Sequence, residues 1–466
     1  MRRLWCVVFL ASIVAGGVVS PFAVAENEYG YYPGVTLRVA ILSGDHPVPW
    51  EKFVPRFEEM TGVKVEIIDL PWEELYTKIF LELATHTGIY DIVELAGFWV
   101  PDFVVNNLLA PLDEYYEKWD WAFEDIMPAY QKIGVFAGHR YSVIADGDVF
   151  ALYYRKDLFE NPVYQAEFKK IYGYDLRVPQ TWDEYLDVAE FFNGREPNLW
   201  GNEAMLSRVH GPMIFMQLLH SFGGRFFDPY TMEPEITSPA ARKAIETMVK
   251  MAQYMSPGAP AHDFTITRDN FTLGYAAMVV QWADVGSWSG TAPESKVRGK
   301  VGTALVPAGV INGQKFQRSE LAWNWQWAIN ADSKHKEAAA QLLRYMTSPE
   351  VSREIVSMAR GYDPYRRSHF ENTQWAAEWF PGALEFLAGL KANMEYGVYD
   401  LYIPGAQQYL DAVGKHLGDI LTGVVSLDEG LRRIADEWNE ITNRWGRESQ
   451  KAFYQDYLRT YWGWKG

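Results

Sequence analysis

The stretch Val35–Leu95, VTLRVAILSGDHPVPWEKFVPRFEEMTGVKVEIIDLPWEELYTKIFLELATHTGIYDIVEL, decides the fold. Val35 to Leu42 reads as a strand, broken by Ser43-Gly44-Asp45-His46-Pro47. Trp50, Phe53, Val54, Phe57 and Met60 then recur at helical spacing, and Thr61-Gly62 stops that helix. Pro55 sits inside it and predicts a kink or restart, because proline lacks the N–H that bonds one turn back. Val63 to Ile68 alternates as a second strand. Trp72, Leu75, Tyr76, Ile79 and Leu83 lay an apolar stripe along a second helix, and Asp91 to Leu95 makes a third strand. A β-α-β-α-β series implies a parallel sheet with helices packed on it.

Outward from this stretch, the N-terminus reads as an export signal. Arg2-Arg3 starts it, an apolar run covers Cys6 to Val19, and Ala23-Val24-Ala25 supplies a small-x-small cleavage pattern. The run is shorter than the roughly 20 residues a membrane span needs, so residues 1–25 are expected to be removed and the rest to be periplasmic and unanchored. Cys6 is the single cysteine. A mature chain without it has no disulfides, no thiol catalysis and no cysteine-based zinc motif. Losing Arg2 and Arg3 moves the net charge from −17 to −19, an acidic balance that argues against nucleic acid and anionic lipid as partners.

On the C-terminal side, Gly138 to Tyr154 reads as a passage between lobes: a polar turn, Asp146-Gly147-Asp148, leads into an apolar strand, Val149 to Tyr154. Helices dominate beyond it. Thr181/Glu184 and Ser426/Glu429 form capping boxes, and Ser238-Pro239 and Ser348-Pro349 pair an N-cap with proline at the first helical position. Leu427, Leu431, Ile434, Trp438, Ile441 and Trp445 stripe one face of a late helix. The chain holds 19 Trp, 28 Tyr and 25 Phe. Such rings stack on the C–H faces of sugars, although most of so many must fill the core.

Six segments in order resemble the extracellular solute-binding proteins of ABC sugar importers, the group that includes maltose-binding protein. They are Phe57 to Ile68, Tyr90 to Tyr116 with its L-x-P-L-D, Asp148 to Glu160, Pro179 to Glu184 (P-x-T-W-D-E), Leu273 to Trp282 with its G-x-A-A-M, and Ile329 to Glu350 with its S-P-E turn. The resemblance implies a periplasmic-binding-protein-like α/β fold: two discontinuous lobes, a hinge and a ligand cleft between them. Projected here, lobe one is 35–145 plus 328–374 and lobe two is 146–327 plus 375–466. It also implies a carbohydrate solute, ABC permease subunits as membrane partners, a monomer, no cofactor and no metal.

Ligands of open α/β sheets sit beyond the carboxyl ends of the strands. That rule points to Asp45, His46 and Trp50 after the first strand and to Phe98 and Trp99 after the third. Asp146 and Asp148 at the crossover suit sugar hydroxyls, each carboxylate accepting two; an acidic turn or a glycosyltransferase D-x-D metal site are the alternatives. Trp282 and Asp284 follow the A-A-M strand. Trp323, Trp325 and Trp327 alternate in AWNWQW and would share one face of a strand. Tyr362, Asp363 and Arg366 lie in a late polar and aromatic loop resembling the family's binding edge.

Two other function classes stay open at this point. An exported carbohydrate-active enzyme needs two carboxylates across a glycosidic bond, and the many Asp and Glu allow such a pair. No H-E-x-x-H or phosphate loop is present, and Gly286-Ser287-Trp288-Ser289-Gly290 has Trp where G-x-S-x-G has its nucleophile. An iron or oxyanion carrier on the same fold would want clustered tyrosinates or a basic pocket; Tyr153 and Tyr154 face opposite ways on a strand.

Overall fold

A computed structural model describes residues 28–465; the proposed export signal lies outside them. Its sheet strands and the helices that frame the site are, in chain order, β1 (Thr36–Leu42), α1 (Pro47–Thr61), β2 (Lys64–Leu70), α2 (Trp72–Ala84), β3 (Ile92–Leu95), α3 (Val100–Val105), β4 (Ser142–Ile144), β5 (Ala151–Arg155), β6 (Met278–Gln281), α4 (Asp284–Thr291), β7 (Val301–Ala304), β8 (Gln326–Ile329), α5 (Ala406–Leu421) and α6 (Leu427–Trp445).

They build a two-lobed α/β fold. The first sheet runs β2-β1-β3-β8-β4: β1 pairs parallel with β2 and β3, and β8 returns antiparallel between β3 and β4. The alternation in β1 has a packing reason. Leu37, Val39 and Ile41 enter one core cluster with Trp50, Val54 and Phe57 of α1, while Ala40 enters a different cluster with Leu75, Ile79 and Leu83 of α2. The second sheet, β6-β5-β7, is antiparallel, and α5 and α6 pack among the helices on its side of the molecule. Among the described residues no helix is long and apolar enough to cross a membrane.

Local signals hold where backbone chemistry dictates them. The Thr181, Ser238, Ser348 and Ser426 side chains each accept a backbone N–H at a helix start. Gly62 ends α1 in the left-handed region, φ 72°, its N–H donating to Glu58. One expectation changes. Pro55 does not restart α1, which continues through it from Pro47 to Thr61 with burial on both sides of the proline. Residues 327 and 328 lie within β8, which begins at Gln326 paired with Leu95 and Ile144.

AWNWQW is not one strand. Trp323 and Asn324 have φ of 81° and 41°, both left-handed, and the sheet begins only at Gln326. Such backbone at non-glycine residues costs about 1–3 kcal/mol each and persists only where surroundings fix it. Here Asp400 accepts the Trp323 N–H at 2.7 Å, Asp148 accepts the Asn324 N–H at 3.2 Å, and Gly97 donates to the Trp323 carbonyl at 2.6 Å. The kink parts the three rings: Trp323 and Trp325 line a cavity, and Trp327 enters the core of the first lobe.

Candidate functional site

A cavity of about 300 Å³ opens where elements of the two sheets meet. From the first sheet's side come Leu42 and Ser43 at the end of β1, His46 just before α1, and Trp72 at the start of α2. From the other side come His210, Phe264, Thr265, Trp282 and Asp284. Asp146, Asp148, Trp323 and Trp325 lie on the segments that pass between the sheets.

The rings form a continuous wall. Trp323 stacks on His210 at 5.6 Å and 21°, meets Trp282 edge-on at 5.5 Å, and leans on Trp72 at 5.0 Å. Trp325 meets His46 edge-on at 5.0 Å. The Trp282 indole N–H donates to the Ala322 carbonyl at 3.0 Å, which fixes its ring. Offset and edge-on pairs of this kind give a rigid apolar surface.

Beneath His46 lies Glu94, fully buried in β3. Its Oε2 accepts from Leu42 N and lies against His46 Nδ1, both at 2.9 Å; its Oε1 accepts from Trp327 Nε1 at 3.0 Å and Tyr362 Oη at 2.8 Å. Burial alone would raise the Glu94 carboxyl, but the His46 charge and these donors hold it below the usual carboxylate range. Burial likewise works against charge on His46, and Glu94 outweighs it and raises the imidazole. The pair is an internal salt bridge that aims the His46 ring. His210, with no such partner, is pushed down by burial to about 4 and stays neutral.

The remaining charge is acidic. Burial pushes Asp146, Asp148, Asp363 and Asp284 above the usual carboxylate range. Asp146 and Asp284 raise Asp148 and Asp363 further, whereas a hydrogen bond from Asp148 lowers Asp146, and Arg268 and His46 lower Asp284. Backbone amides orient two of them: Asp363 N donates to Asp146 at 2.6 Å, and Asn324 N donates to Asp148. Gly147 between them permits the approach, since a Cβ there would sit 2.2 Å from the Pro364 carbonyl oxygen.

Of the residues expected at the site, His46, Asp146, Asp148, Trp282, Asp284, Trp323 and Trp325 are brought together at the cavity. The others stand behind it or away from it. Trp99 stacks against Trp72 at 5.5 Å and donates to Gln407 at 2.6 Å; Phe98 meets Trp323 edge-on at 5.4 Å. Tyr362 binds Glu94, and Asp363 joins the acidic cluster. Trp50 is core, edge-on to Trp327 at 4.7 Å. Asp45 points to Arg360 at 2.9 Å, and Arg366 is spent on the carbonyls of Ala122 and Thr347. Trp72, Glu94, His210 and Phe264 were not singled out for the site. Trp72 had a usable signal, because it follows β2 as His46 follows β1, but helical spacing assigned it to the core.

The chain belongs to the bacterial extracellular solute-binding proteins, whose family profile matches residues 43–352. A mannitol-binding protein of Pseudomonas aeruginosa is 24% identical over 413 residues, covering 85% of this chain and 90% of that one. An erythritol/L-threitol-binding protein of Mycolicibacterium smegmatis is 24% identical over 383 residues, covering 77% of each. Among solved structures, a solute-binding protein of Agrobacterium radiobacter in complex with ribitol superposes with a TM-score of 0.75 at 23% identity, covering 88% of this chain and all of that one.

Proposed function

We propose that the protein captures a polyol or small sugar in this cavity outside the cytoplasm and presents it, chemically unchanged, to an ABC importer. One observation carries the reading: four indole rings face buried carboxylates in a space about the size of a single hexose or hexitol. Rings cover the C–H edges of such a solute, and carboxylates accept its hydroxyls as charge-assisted hydrogen bonds. The polyol-binding relatives support the same solute class.

Contacts come from both sides of the cleft, so solute favours the conformation in which the two sides approach. That differential contact is what a hinge needs in order to respond to ligand. Asp102 of α3 already reaches across to accept the Gly405 N–H at the head of α5, at 2.5 Å. A thermal-shift screen over sugars, polyols, amino acids and oxyanions tests the reading, because a ligand selective for the native state raises the melting temperature. A polyol or sugar recovered intact after producing a shift supports it. A shift given by an amino acid or oxyanion alone overturns the solute class, and turnover of a glycoside overturns the carrier.

A further inference from the structure

We propose that Asp146, Asp148 and Asp363 form a divalent-cation site of the calcium type at the floor of the cavity. On the reading of the cavity as a polyol site, hydroxyls of the bound solute complete the coordination.

The geometry comes first. Each of the three residues offers a carboxylate oxygen, and these oxygens all lie within 4.8 Å of one another. Oxygens on opposite sides of a calcium ion stand about 4.6–5.2 Å apart, twice the roughly 2.3–2.6 Å bond, so one ion can touch all three. Asp146 and Asp148 also line the cavity, which leaves the open side of the cluster toward solute. The donors are oxygens without cysteine or histidine, the set that hard cations select.

Unmet polar groups around the cluster are a second observation. Asp363 Oδ2 has no hydrogen-bond partner, although the residue is only 2% exposed. The fully buried Tyr153 hydroxyl has none either, and it interacts electrostatically with Asp148 and Asp363. Buried polar groups normally find partners, and two such groups at one acidic floor point to something that binds oxygen.

Charge balance is the third. Among the described residues no lysine or arginine pairs with these three carboxylates; nearby Arg360 pairs with Asp45 and Arg268 with Asp269. The His46 charge reaches Asp146 but is already paired with Glu94. Three buried carboxylates with so little counter-charge are costly, and a divalent ion supplies what the side chains do not. Extracellular calcium sites commonly bind at roughly 10⁻⁴–10⁻³ M, a range an exported protein meets.

The test uses the whole protein, stripped with EDTA and titrated with calcium chloride by calorimetry, without any solute. The expected result is one calcium per chain, with terbium emission excited through the neighbouring indoles and quenched by calcium. Asp363→Asn should weaken calcium at least tenfold. If that variant fails to fold, Asp146→Asn and the wild-type terbium displacement decide. No calcium heat at millimolar concentration, with polyol binding intact in EDTA, overturns the cation site and leaves the carrier reading standing. Calcium heat unchanged in both variants also overturns it, since the ion then sits elsewhere. Calcium binding with no polyol or sugar bound upholds the site and removes its role toward a carbohydrate.

Discussion

Glu94 and His46 form a buried ion pair, Oε2 to Nδ1 at 2.9 Å, directly under the cavity lining. Both Glu94 oxygens are saturated, Oε2 facing Leu42 N and His46 and Oε1 facing Trp327 and Tyr362. Glu94→Gln must therefore set an amide N–H₂ against donors on one side or the other, and it strips His46 of its counter-charge. Breaking a buried pair of this kind costs about 3 kcal/mol. Urea unfolding should show a loss of that order, accompanied by weaker solute binding.

Gly147 holds the two crossover aspartates in register with the 362–366 loop. Its N–H donates to the Asp363 carbonyl at 3.1 Å, and the Tyr130 hydroxyl donates to the Gly147 carbonyl at 2.6 Å. The Cβ of Gly147→Ala would meet the Pro364 oxygen at 2.2 Å and the Pro364 carbonyl carbon at 2.6 Å. Backbone has to move, and overpacking of this sort costs about 2 kcal/mol. Denaturant melts should record that loss, and calorimetry should record weaker solute binding because Asp146 and Asp148 shift with the backbone.

The first sheet was legible because its strands and helices alternate with unmistakable periods and carry their own stop signals. Much of the cavity lining was legible too, because the rule for strand ends finds His46, and the A-A-M and AWNWQW segments find Trp282, Trp323 and Trp325. The misreadings share one cause. Trp50 and Trp72 have the same residue type on adjacent helices, yet one packs on Trp327 and the other faces the cavity. Helical spacing places residues on a face but does not say what covers that face. Glu94 was hidden for the converse reason: in IVEL it looks like a polar break, and only the tertiary fold delivers its four donors. The kink at Trp323 and Asn324 depends on Asp400 and Asp148, which lie far away in sequence.

Asp102 gives a pH signature. Burial pushes its carboxyl up to about 6, against the lowering effect of the Gly405 N–H and the Tyr76 hydroxyl. A carboxyl raised in the folded state contributes stability that is fully present below its unfolded value, near 3.8, and is lost as pH rises through about 6. The difference amounts to at most about 3 kcal/mol. Asp102→Asn removes the titrating proton, so the stability difference between variant and wild type should change between pH 4 and 7 in the variant's favour. A difference independent of pH across that window contradicts the assignment.

Solute binding against the ring wall is the central claim, and calorimetric titration of the best polyol or sugar into wild type and Trp282→Ala tests it most directly. Trp282 is fixed by its bond to Ala322 and borders both Trp323 and the acidic floor. One solute per wild-type chain is predicted, with at least tenfold weaker binding in the variant, a loss of about 1.4 kcal/mol. The variant's own melting curve confirms that it is folded. Equal affinity in the folded variant, or no carbohydrate or polyol binding to wild type, contradicts the account.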